Sequence, residues 1–395
     1  SMSRIQDMIQ DLAPSITALR HEIHAHPELG FEENETARRV VAQLKPLGNL
    51  EIQTGVAKTG VVATLNRDKP GKCVALRAEL DCLPIQEESN LPYKSRIPGK
   101  MHACGHDGHM SCLVGAAHIL SRMADELPGK VKFVFQPAEE GGAGARIMSE
   151  EGVLNNPNVD AIFALHGWPE LELGTIGVRG GPTLASTNPW RMTIHGDGAH
   201  AAYPHKGIDP ILAASHIVVA LQSIASRSID PLESIVVTVA EFHAGTADNI
   251  IPPAVELTGT IRTLNPDVRK KAVGLVQQIA TTTAAAFGAR AEVNITDGYP
   301  TLINNDEAAA LVADVARDVL GDGGVADVVP PSMGGEDFAY YAQRIPAAFW
   351  RLGVRTGDPS EQPGLHHPTY NFPDVAIPYG IRMHCEIARQ FLNGA

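Results

Sequence analysis

The sequence predicts an α/β protein in which one discontinuous domain, residues 1–187 and 299–395, carries a smaller domain inserted at 188–298. Three observations predict it. Apolar strand-like runs alternate with amphipathic helices through the first 187 residues, the pattern of a sheet with helices on both faces. Residues 188–298 then read β-α-β-β-α-β, the order of a ferredoxin-like sandwich. After residue 299 the style of the first part returns.

The elements follow in order. Residues 4–25 and 33–47 have helical apolar spacing, and the turn His26-Pro27-Glu28-Leu29-Gly30 joins them. Strands are expected at 60–66 and 73–79, with Lys69-Pro70-Gly71 as the turn between. A helix of small and apolar residues is expected at 109–125, a buried strand at 130–136, a helix near 143–151 and a strand at 159–165. The inserted part reads as strand 190–196, helix 208–225, strands 234–243 and 254–263, helix 266–287 and strand 290–296. A helix at 305–320, a strand at 347–352 and a helix at 376–393 complete the chain.

Composition bounds the function. The chain has 395 residues, 44% hydrophobic and 19% charged, with 37 Gly and 28 Pro. This is globular composition, not that of a disordered or coiled-coil chain. The net charge of −13 argues against nucleic acid and anionic membrane as partners, since both demand basic patches. No uninterrupted apolar stretch reaches the roughly 18–20 residues of a membrane span, and the first residues lack an apolar signal core. Five Cys in a chain this size do not form a disulfide framework. A reducing, cytoplasmic setting is expected. The 16 His are the feature that calls for chemistry.

Four segments carry it. Met101-His-Ala-Cys104-Gly-His106-Asp-Gly-His109 places a thiol and an imidazole two residues apart, a pairing that suits zinc and its neighbours. Gln136-Pro-Ala-Glu139-Glu140 follows a buried strand. Two carboxylates there are costly unless a cation meets them, and in a loop one can bind metal while the other carries a proton. His166, in Phe163-Ala-Leu-His166-Gly-Trp-Pro169, ends an apolar run, where ligands gather in open α/β sheets. His366 lies in Leu365-His366-His367-Pro368. The candidate set is Cys104, His106, Glu140, His166 and His366. It is too small for two closed tetrahedral sites, but it suffices for two ions sharing a bridging ligand and keeping open positions. In a fifth segment, Leu76-Arg-Ala-Glu79-Leu-Asp81-Cys-Leu-Pro84, Asp81 is the expected acceptor that holds a ligand imidazole in place.

The segments LRAELDCLP, MHACGHDGH, QPAEEGGAGA, LHGWP and LHHPTYNF, in this order, resemble the aminoacylase/hippurate-hydrolase branch of the dinuclear zinc-peptidase superfamily. That branch includes bacterial N-acyl-amino-acid amidohydrolases and plant hydrolases of auxin–amino acid conjugates. The resemblance runs from residue 26 to the end and takes in GAHAAYPH, FHAGTADNIIP, GTIRT and SMGGEDFAYY. It implies a catalytic domain with a central mixed sheet flanked by helices, and a lid domain at 188–298 through which two subunits, or four, associate.

The resemblance also implies roles. Cys104, His106, Glu140, His166 and His366 match its ligands to two divalent ions per subunit, Zn, Mn, Co or Ni. Glu139 matches the general base, and Asp81 the residue that orients the metal site. His200 resembles a lid residue that holds the scissile carbonyl oxygen in a partner subunit's site. Asn249 and Arg262 resemble residues that hold the substrate carboxylate. Two positions depart from the pattern: Glu79 stands where Asp is usual, and Cys82 where Ala is usual. The expected reaction is hydrolysis of an N-acyl or N-aroyl amino acid to a carboxylic acid and a free amino acid. N-acetyl-diaminopimelate deacetylation and dipeptidase or carboxypeptidase activity are the alternatives within the superfamily. Outside it stand a cysteine hydrolase using Cys104 with His106, and a zinc-stabilised binding protein. The substrate is expected to be a small molecule.

Overall fold

The computed structural model describes residues 2–394. The chain divides into two compact units. The first runs to Gly181 and adds Ile303–Pro330 and the chain from Tyr340 onward. The second takes Pro182–Leu302 and Pro331–Ala339.

The first unit is built on a seven-stranded mixed sheet. Its strands lie in the order Leu50–Val56, Gly60–Leu65, Lys130–Gln136, Cys73–Glu79, Ala161–Glu172, Ala347–Arg355, Ile176–Gly177. The four from Lys130–Gln136 to Ala347–Arg355 are mutually parallel, and the remainder pair antiparallel. The strands Gly60–Leu65 and Cys73–Glu79 are buried along their whole length and Ala347–Arg355 is buried up to its last residue, which is why they read as continuous apolar runs rather than alternating ones. Helices Met2–Ala25, His106–Arg122 and Ile377–Leu392 pack on one another. The middle one is buried on nearly every side, so its composition is small and apolar all round. Parallel strands bring their C-terminal ends to one edge of the sheet, and the loops after Glu79 and Gln136 leave from that edge.

The second unit has four antiparallel strands in the order Ile235–His243, Ala254–Thr263, Ser186–His195, Arg290–Ile295. With the helices Pro210–Leu221 and Pro266–Ala286 this is the β-α-β-β-α-β arrangement. Asp209 and Asn265 cap the two helices, each accepting two backbone N–H bonds ahead of a proline. Every fourth residue of the longer helix, Ala272, Val276, Ala280 and Ala284, is buried. Pro210–Ser228 is long and apolar enough on average, by length and composition only, to cross a membrane, but Ser215, His216, Gln222 and Arg227 interrupt its apolar run. Its Ala213, Ile217, Leu221 and Ile224 are nonetheless buried in this unit's own core.

Candidate metal centre

Two imidazoles are set in one tautomer by the backbone. His106 Nδ1–H donates to the Asp81 carbonyl oxygen at 2.8 Å, and His166 Nδ1–H donates to the Gly167 carbonyl at 2.8 Å. Each ring therefore turns an Nε2 lone pair inward, the arrangement of metal-binding histidines. Cys104 Sγ lies 3.5 Å from His166 Nε2. Two ligands of one tetrahedral zinc, at about 2.3 Å for sulfur and 2.0–2.1 Å for nitrogen, stand about 3.5 Å apart. Glu140 Oε1 is 3.9 Å from His106 Nε2 and 3.5 Å from His366 Nε2. His106 Nε2, Glu140 Oε1 and Asp81 Oδ1 are all buried without a hydrogen-bond partner. Orphaned buried acceptors are expensive, and a divalent cation beside His106 Nε2 and Glu140 Oε1 satisfies that pair. The donor set of thiol, imidazole and carboxylate suits that cation.

The electrostatics agree. Burial works against a charged ring, yet Glu79, Asp81 and Glu140 push the His106 pKa up to about 10. Burial together with Glu140, Glu139 and Glu79 pushes the Cys104 thiol well above its usual range. The site carries excess negative charge that asks for a cation, and without one Cys104 is an inert thiol.

The neighbouring loops are braced. Asp81 Oδ1 stands 3.3 Å from His106 Nδ1, but the closer contact is from its main-chain oxygen. Its Oδ2 instead accepts the Glu140 N–H at 2.9 Å. Asp81 thus holds both the imidazole and the Glu pair. The Glu139 side chain is buried, with Oε2 3.9 Å from His106 Nε2. Glu33, buried at the start of helix Asn34–Leu44, accepts the Ala138 N–H at 2.9 Å and the Thr59 hydroxyl at 2.9 Å. Burial and then the Asp81 charge raise its pKa to about 7. His366 sits in the left-handed region at φ 68°, which His tolerates better than most residues. Its N–H donates to the Ala103 carbonyl, tying its loop to the Cys104 segment.

Three sequence readings change. The strand carrying His166 does not stop there but continues to Glu172. Helix His106–Arg122 begins three residues earlier than expected, which places His106 and His109 at i and i+3 on one face. His109, which was not among the candidates, and Glu79, which entered only as a departure from the pattern, then join the cluster. Ligand atoms of Glu79, His106, His109 and His166 lie within 4.8 Å of one another. A second such group is Cys104, His106 and Glu140.

The remaining candidates lie in the second unit. His200 is exposed on a short ladder opposite Ile250, and Ala201 N–H donates to the Asn249 carbonyl at 3.0 Å, so His200 and Asn249 are neighbours. Arg262 is half-buried on strand Ala254–Thr263 and donates to the Thr260 hydroxyl at 3.1 Å and the Met333 carbonyl at 3.2 Å.

Comparison with known proteins gives the family. Residues 75–390 match the description of peptidase family M20/M25/M40. The chain is similar to an N-acetyl-L-cysteine deacetylase of Bacillus subtilis, 39% identical over 98% of this chain and 90% of that one. It is also similar to the IAA-amino acid hydrolase ILR1-like 4 of Arabidopsis thaliana, 40% identical over 95% and 86%. Among solved structures, a Bacillus subtilis dinuclear metal-binding peptidase of the M20 family superposes with a TM-score of 0.84 at 35% identity, covering 98% of this chain and 99% of that one. The chain belongs to peptidase family M20/M25/M40 and is an amide-bond hydrolase.

Proposed function

We propose that the protein is a metal-dependent amidohydrolase that releases a free amino acid from an N-acyl or N-aroyl amino acid. The observation that carries this is the pair of orphaned buried atoms, His106 Nε2 and Glu140 Oε1, beside the buried Glu139 carboxylate. Cys104, His106, Glu140, His166 and His366 would hold two divalent ions. When bound, these supply Lewis acidity, bringing a water pKa toward about 7 and polarising the amide carbonyl. Glu139 takes the proton of the attacking water and returns it to the leaving nitrogen. Asp81 keeps the Glu139–Glu140 loop and His106 in register. Arg262 and Asn249 bind the substrate carboxylate, Arg262 offering a planar bidentate donor, and His200 donates to the carbonyl oxygen.

Relatives named as a deacetylase and as an IAA-amino acid hydrolase support an acyl amino acid as the substrate class. The test is hydrolysis of a panel of N-acetyl, N-benzoyl and indole-acyl amino acids, with chelator and with each of Zn, Mn, Co and Ni. Hydrolysis that chelator abolishes and metal restores is expected. Chelator-insensitive hydrolysis would return the reading to Cys104 as a nucleophile. The raised thiol pKa argues against that nucleophile.

The second unit is proposed as the lid and dimerisation domain. Strand Ile235–His243 has a sheet neighbour on one side only, and Phe242, Leu212 and Val219 are exposed in the same unit. Open edges and apolar patches of this kind call for covering. Light scattering at the monomer mass would sink the dimer.

A further inference from the structure

Glu79 is fully buried at the end of strand Cys73–Glu79. Its Oε1 accepts from Arg77 Nη1 at 2.9 Å, and Arg77 Nε donates in turn to Gln136 Oε1 at 2.8 Å. Its Oε2 accepts the His109 Nδ1–H at 2.6 Å. His109 Nε2 is occupied by the Gly167 N–H at 2.8 Å, so both nitrogens of that ring are used and His109 is a brace rather than a ligand. The carboxylate is thereby fixed on two sides.

The same Oε2 lies 3.1 Å from His106 Nε2. This contact is not a hydrogen bond, because His106 Nε2 has no hydrogen-bond partner. With Nδ1–H committed to the Asp81 carbonyl, a neutral His106 presents a lone pair there, and a lone pair 3.1 Å from a carboxylate oxygen is repulsive unless a proton or a metal cation lies between them; at a metal-loaded centre the ion takes the proton's place. Nitrogen and oxygen ligands about 2.0–2.2 Å from one ion stand about 2.9–3.4 Å apart, from the octahedral to the tetrahedral limit. The observed spacing falls in that interval.

We propose that Glu79 is itself a metal ligand, its Oε2 sharing an ion with His106 Nε2, so that the centre has six protein ligands. The proposal rests on the metal-dependent reading above. A further buried carboxylate makes the site more anionic and harder, which favours Mn over Zn relative to a site without it.

The test measures metal binding, not turnover. Wild type, Glu79→Gln, Glu79→Asp and His109→Gln are compared by chelator-competition titration with Mn and Zn and by the visible spectrum of the Co(II)-loaded protein. The expected result is a Co(II) spectrum altered by the lost ligand in both Glu79 variants. Mn affinity should fall by about 10–100-fold or more, and Zn affinity by less. His109→Gln should keep the wild-type spectrum. Should Glu79→Gln fail to fold, Glu79→Asp, which retains the charge but withdraws the oxygen, carries the same reading. Wild-type spectra and affinities in the Glu79 variants overturn the proposal, as does a His109→Gln spectrum that matches theirs, since Glu79 would then act only through the brace. A wild type that binds no metal overturns the functional reading instead.

Discussion

Cys104 Sγ and His166 Nε2 face each other at 3.5 Å across 62 residues of sequence. The separation is that of two ligands on one ion, and it sets what loss of the sulfur does. In Cys104→Ser the buried position keeps its size but loses the soft donor. Removing the ligand should weaken Zn binding by more than the roughly 10–100-fold that outer partners are worth, and the sulfur-to-cobalt band of the Co(II) protein should vanish. A Co(II) spectrum that keeps that band in the serine variant would place the sulfur outside the centre.

Glu139→Gln tests the proton carrier separately from the metal. The amide is isosteric and cannot accept the proton of the attacking water. Hydrolysis of the best panel substrate should fall about 10²–10⁴-fold while metal content stays at the wild-type value. Because Glu140 brings one oxygen to 3.9 Å from His106 Nε2 and 3.5 Å from His366 Nε2, Glu140→Gln should differ by losing metal as well. Full activity in metal-loaded Glu139→Gln would remove its assignment as base.

A buried charge network behind the metal loop makes stability depend on pH. His24 is fully buried, with Nδ1 2.9 Å from Asp107 Oδ2 and Nε2 2.9 Å from Glu87 Oε1. Burial opposes its charge, but Asp107 and Glu87 win and raise its pKa from 6.5 to about 9. A raised folded-state pKa means the folded protein holds the proton more tightly than the unfolded chain. The resulting stabilisation, on the order of 3 kcal/mol, is complete below about pH 6.5 and is lost as the pH rises through about 9. Thermal unfolding of wild type should therefore show the melting temperature falling between these values. His24→Gln should lose most of that slope and be less stable at pH 6. Parallel pH profiles for the two proteins would exclude His24 as the source.

Much of this candidate site was legible in the sequence because Cys104 and His106 lie together in one short segment and Glu139 and Glu140 directly follow a strongly apolar run. Lys130–Gln136 and Ala254–Thr263 are found with the bounds their apolar runs suggest. What was hidden has particular causes. Leu50–Val56 is a half-exposed edge strand with Gln53, Thr54 and Gly55 in it, so it lacks an apolar run. Ala161–Glu172 passes through Pro169, which reads as a stop. Pro169 lies where the pairing with Ala347–Arg355 shifts register between Gly353 and Arg355, a place where a missing N–H is tolerated. Glu79 and His109 were hidden because their value depends on where helix His106–Arg122 starts. Gly105, in the left-handed region at φ 81°, starts it at His106. One turn then suffices to bring His109 under the ligand and against Glu79.

That first turn also couples packing to the site. Gly108 lies against the Phe372 ring, and a Cβ added there would fall inside the van der Waals envelope of the ring. Alanine is otherwise favoured over glycine in a helix by about 1 kcal/mol, so Gly108→Ala sets propensity against overpacking, which costs about 1–3 kcal/mol. Phe372 is buried and has little room to retreat. It packs edge-on to His109 at 5.9 Å and covers the α-carbon face of Gly167. The ring can move only by pressing on the two groups that fix the His109 brace. Gly108→Ala should therefore lower the melting temperature and also weaken metal binding, although it touches no ligand. Gly274, on the helix Pro266–Ala286 with open space around it, is the matched control. Gly274→Ala should raise stability slightly and leave metal affinity unchanged. A Gly108→Ala protein as stable and as metal-avid as wild type would show that the helix start tolerates displacement and that the brace is not held by packing.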